Sequence, residues 1–178
     1  MKRALAVLAV AMFLLPLMVP AQAPQMPQPG PEVKKLDYFV GTWNMEGDSK
    51  ASPYGPAGKF SGSEHDDWMP GNFFLVAHSA MKVPGAEEKG LAVMGYDTAQ
   101  NVYTYHSFGS TGMHVFATGV LEGDTWTWHS EDKMGGKVIK GRYIIKQLSP
   151  SSYTIKFDMA SDTGEWNTIM EGKMTKSK

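Results

Sequence analysis

Glu64 and Asp66 stand two residues apart in KFSGSEHDDW (59–68), with Phe60 and Trp68 continuing the same spacing on either side. A period of two puts all four on one face of a strand. Two carboxylates on an inward face are costly unless paired, and one of them then carries a raised pKa suited to proton transfer. Glu64 is the better polar anchor for a pocket. Asp66 is expected in solvent, where the strand bulges or ends. If the chain is an enzyme, Glu64 is the general acid or base for an isomerisation or hydration.

The five histidines, His65, His78, His106, His114 and His129, form no H-x-H or H-x-x-x-H pair, and the chain has no cysteine to complete a metal site. His106 and His129 alternate with tyrosines and tryptophans, so they are expected to face water. His78 lies in NFFLVAHSAM (72–81), a run apolar on both faces, which leaves its direction open. An inward His78 would be the haem ligand of a haem-binding alternative. No cysteine nucleophile or G-x-S-x-G elbow is present. GKFSGS (58–63) and DKMGGK (132–137) lack the spacing and following helix of a phosphate loop. The residues name no cofactor and no reaction.

The elements that must position these side chains are short strands. Glu32 to Val40 places Leu36, Phe39 and Val40 on one side at helical spacing, one or two turns at most. After Gly41 the period becomes two and stays there, through LAVMGYD, VYTYHSF, HVFATGV, TWTWHSE, KVIKGRYIIKQ, SYTIKFDMA and EWNTIMEGKMT. Turn signals separate the runs, among them PGN (70–72), VPGAEEKG (83–90), DTAQN (97–101) and DKMGG (132–136). About ten strands joined by such short connections leave no room for crossover helices. Closing the meander on itself removes its exposed edges, so the fold class is all-β, an up-and-down antiparallel barrel of about ten strands with a short N-terminal helix.

The ends bound the setting. Lys2 and Arg3 precede an apolar run, Ala4 to Leu15, and a small-residue zone, Val19 to Ala23. That is the pattern of a signal peptide, residues 1–21 with cleavage after Ala21. The run is shorter than the about 20 residues of a membrane span. Residues 22–31 are a Pro- and Gln-rich tether, and 32–178 form the barrel domain. The reading is an exported protein, periplasmic or secreted, with no membrane anchor after cleavage, a monomer or weak oligomer. Loss of the leader's Lys2 and Arg3 takes the formal net charge from −1 to −3. That balance argues against nucleic acid as a partner.

A short helix followed by Gly-x-Trp on the first strand, LDYFVGTW (36–43), resembles the lipocalin-like (calycin) barrels. WMPGNFFLV (68–76), LAVMGYD (91–97), GDTWTW (123–128) and SYTIKF…EWNTIMEGKMTK (152–176) extend the resemblance to exported bacterial domains of unknown function with a calycin-like barrel. The resemblance implies that Gly41 turns the chain into the first strand, and that Trp43 fills the closed end with Leu36 and Phe39. It implies no activity.

With the more apolar face of each strand inward, the interior receives Trp43, Met45, Phe60, Trp68, Tyr103, Tyr105, Trp126, Trp128, Tyr143, Ile145, Tyr153, Phe157, Trp166 and Met170. Arg142 falls on the outward face as a surface charge. Ten strands leave more room than eight, so these walls line a cavity for a small apolar or amphipathic molecule. The expected ligand contacts are Trp43, Glu64, Trp68, His78, Tyr103, Tyr105, Trp126, Trp128, Tyr143 and Phe157, with the loop 83–90 gating the mouth. The structural alternative is a filled barrel that acts as an interaction module.

Overall fold

The period-two alternation becomes ten strands in the computed structural model, which describes residues 27–52, 55–134, 136–160 and 164–177. The leader expected over 1–21 and tether residues 22–26 lie outside the described residues. The strands are β1 (Gly41–Ser49), β2 (Gly58–Trp68), β3 (Leu75–Val83), β4 (Ala86–Asp97), β5 (Val102–Gly109), β6 (His114–Glu122), β7 (Thr125–Met134), β8 (Lys137–Ser149), β9 (Ser152–Ala160) and β10 (Trp166–Lys176). Each pairs with its neighbour in sequence, and β1 pairs with β10 to close the barrel. Closure satisfies both sides of every strand and removes the edges that an open meander would present.

A helical turn, α1 (Pro31–Lys34), and a 3₁₀ turn (Lys35–Tyr38) precede the barrel. The helix starts at Pro31, one residue inside the segment assigned to the tether. A proline fits the first helical position because its missing N–H has no partner there in any case.

Two boundaries differ from the sequence reading. Residues 83–90 are not a loop: only Pro84 and Gly85 turn, and Ala86 to Gly90 pair with Val83 to Ser79. Likewise β7 runs on to Met134, through the first three residues of the expected turn 132–136. Residues 86–90 and 131–133 are exposed or half-exposed on both faces, which is why these paired stretches are polar.

The Gly-x-Trp of the first strand has a local cause. Gly41 takes φ +120°, a backbone region that side-chain-bearing residues rarely adopt, and a Cβ there would lie 2.8 Å from Lys176 Cε. Two residues on, Trp43 is fully buried and donates its indole N–H to the Phe39 carbonyl at 2.6 Å. The N-terminal turns are thereby fastened across one end of the barrel. Leu36 and Phe39 are buried there, and Phe39 packs on Trp126 and Tyr153 with ring centroids 5.3 and 5.8 Å apart. Truncating an aromatic side chain of this burial costs about 3–5 kcal/mol. The plugged end is as the resemblance implies.

Candidate functional site

Register decides which side chains share the interior. Glu64 pairs with Trp43 on β1 and Ser79 on β3, Tyr105 pairs with Ala117, and Trp128 pairs with Gly119 and Tyr143. Small residues thus alternate with large ones around the barrel. Trp128 lies against Gly119, where a Cβ would collide with the indole. Ala77, Ser79, Ser107, Ala117 and Ser130 leave part of the interior unfilled. Tyr105, Trp128, Tyr143, Tyr153 and Phe157 supply the aromatic part of the wall, with Met45, Met81, Met94, Met170 and Met174 also lining it. The result is a cavity of about 300 Å³ above the aromatic plug.

Glu64 reaches this cavity from β2. It is half-buried at the cavity wall, and desolvation there pushes its carboxyl up to about 7. Asp66, one step nearer the plug, is 1% exposed, and neither of its oxygens has a hydrogen-bond partner among the described residues. Burial first and the charge of Glu64 second push Asp66 up to about 9, while Lys176 pulls the other way. Burial also raises the phenols of Tyr105, Tyr143 and Tyr153, and the charge of Glu64 adds to each shift. These hydroxyls stay protonated, so Glu64 lies among neutral donor-acceptor groups, with Asp132 the second acid of the lining.

Five of the ten expected contact residues line the cavity: Glu64, Tyr105, Trp128, Tyr143 and Phe157. Four belong to the plug end instead. Trp43 and Trp126 are fully buried there, Tyr103 donates its hydroxyl to Glu32, and Trp68 donates its indole N–H to Asp37 at 2.8 Å. His78 is corrected: it is exposed on the outer face, opposite His65 and Leu91, because the inward positions of β3 fall to Ala77 and Ser79. His65, His106, His114 and His129 are exposed as well, so the described residues bring no histidine to the interior for the haem alternative.

Three further expectations change. Asp66 does not reach solvent, since β2 keeps its register with β1 and β3 through this residue. Trp166 is not inside; it is 36% exposed, with the Arg142 guanidinium 4.4 Å from its ring centroid. Arg142 is more than a surface charge, for it binds the buried Asp158 at 2.7 Å. Ser79, Ser107, Ser130 and Asp132 were not foreseen in the cavity wall. The signal was available: Ser107 lies two residues from Tyr105, and Ser130 and Asp132 continue the spacing from Trp128.

Residues 28–176 match the family described as protein of unknown function DUF1579. The chain belongs to this family. Among curated proteins, none matches. Solved structures similar to this DUF1579 chain include the crystal structure of Rv2717c from M. tuberculosis, at 11% identity and a TM-score of 0.58, covering 85% of this chain and 100% of that one. That likeness shows the fold. The structure of EF1p2_mFAP2b bound to DFHBI is similar over 82% of this chain and 98% of its own, at 12% identity and a TM-score of 0.37.

Proposed function

We propose that this DUF1579 chain is an exported barrel that binds one small apolar or amphipathic molecule in its interior. The observation that carries this reading is the cavity of about 300 Å³ between the aromatic plug and the rim. Its volume lies at the lower end of the about 300–1,000 Å³ typical of ligand pockets. Its composition suits the role, with aromatic and methionine walls for contact area and few polar groups for orientation. The leader pattern at residues 1–21 supports the exported setting. Export of a fusion carrying residues 1–30 would check it, and retention of the fusion in the cytoplasm would refute it.

The neutral dye phenylnaphthylamine tests the cavity. Wild type is expected to enhance its fluorescence with one-to-one stoichiometry. Ala117→Phe, which places a ring in the void, is expected to lose the enhancement while its circular dichroism stays native. No enhancement by wild type, or undiminished enhancement by the folded variant, would refute binding inside the barrel.

A further inference from the structure

The chemistry of the walls narrows the occupant, on the reading that the cavity binds a small molecule. We propose that it takes an organic cation, an apolar body carrying a protonated amine, with the ammonium group on the Glu64 carboxylate. Among the described residues, the cavity lining includes two acids, Glu64 and Asp132, and no lysine, arginine or histidine. Lys176 is not a substitute: its ammonium lies 5.0 Å from the Trp43 ring centroid at the plugged end. An anionic ligand would enter a low-dielectric space with like charge and no basic partner, where its desolvation has no compensation. A cation meets the opposite situation.

The aromatic rings add a second, independent preference. Tyr105 and Trp128 are neighbours with centroids 5.7 Å apart, as are Tyr143 and Phe157 at 6.2 Å. Ring faces attract cations through their quadrupole, and most strongly where water is excluded. An ammonium also carries three donors, for which the Glu64 carboxylate and the nearby phenol oxygens are acceptors. The methionine and alanine surfaces then contact the apolar body. Glu64 would gain a counter-charge inside the cavity.

Decylamine, decanol and decanoate share a chain and differ in head group, so calorimetric titration with each, below micelle-forming concentrations, reads the preference directly. Decylamine is expected to bind at least about tenfold tighter than decanol, the worth of one charge-assisted hydrogen bond, with decanoate weakest. In Glu64→Gln, which keeps the side chain's size and polarity, decylamine affinity is expected to fall to that of decanol. Decanol or decanoate binding as tightly as decylamine to wild type would overturn the cation proposal and leave cavity binding standing. So would an amine preference that survives in the variant. Failure of all three probes on wild type would overturn both.

Discussion

Asp66 brings two unpartnered carboxyl oxygens to the plugged end of the interior, one step below Glu64 on the same strand face. Below about pH 4 an acid of this kind is protonated in both the folded and unfolded chain, and its burial adds no pH dependence. Above that, the unfolded chain ionises while the folded chain holds its protons, until pH passes about 7 for Glu64 and about 9 for Asp66. Stability contributed by the pair is therefore lost as pH rises across this window. Asp66→Asn is expected to flatten the decline and to be more stable than wild type at pH 8, by more than about 1.4 kcal/mol, the equivalent of one pKa unit. Urea unfolding at pH 5 and pH 8 measures it; an equal pH dependence in both proteins would contradict a buried, proton-holding Asp66. Sequence spacing was enough to put Glu64 inward. It was not enough for Asp66, because a buried, unpartnered carboxylate violates the ordinary rule that such a group reaches solvent or a partner.

At the level of elements, β8, β9 and β10 are joined on the outer face by one cluster. Arg142 on β8 donates to Asp158 on β9 through Nε and Nη2 at 3.2 and 2.7 Å, and Thr168 on β10 donates to the other carboxylate oxygen at 2.8 Å. Lys156 adds a further contact at 3.2 Å. Burial acts to raise the Asp158 carboxyl, but the hydrogen bonds from Arg142, Thr168 and Lys156 outweigh it and hold the pKa below the usual range. The register of β9 with β10 shifts just after Thr168, between it and Met170, so the cluster secures the pairing where the ladder is irregular. Asp158→Asn is expected to destabilise the fold by about 2 kcal/mol in urea unfolding at neutral pH, the scale of hydrogen bonds to a charged group. A change below about 0.5 kcal/mol would mean the cluster is an ordinary surface feature. Alternation alone showed Arg142 facing outward; its partner depends on strand register, which alternation does not contain. The same limit explains the hairpin at Pro84 and Gly85, where polar residues paired at the rim look like a loop in one dimension.

For the whole molecule, the closed antiparallel barrel was legible because ten alternating runs with short turns have few other ways to remove their edges. The plug was legible in LDYFVGTW, where Leu36, Phe39 and Trp43 all take the expected closed-end positions. The cavity wall was only half legible. Inward aromatics are the side chains that fill a barrel, whereas a void is made by the small residues set among them. Spacing places Ser107 and Ser130 inward beside Tyr105 and Trp128, but only register shows that they meet Ala77, Ser79 and Ala117 around one space. The central claim is that this space is a binding site, and native mass spectrometry on protein produced with its own leader and purified without detergent tests it most directly. The account predicts one stoichiometric small-molecule adduct on the folded charge states, lost on denaturation and absent from Ala117→Phe. A bare mass on the folded wild type would contradict it.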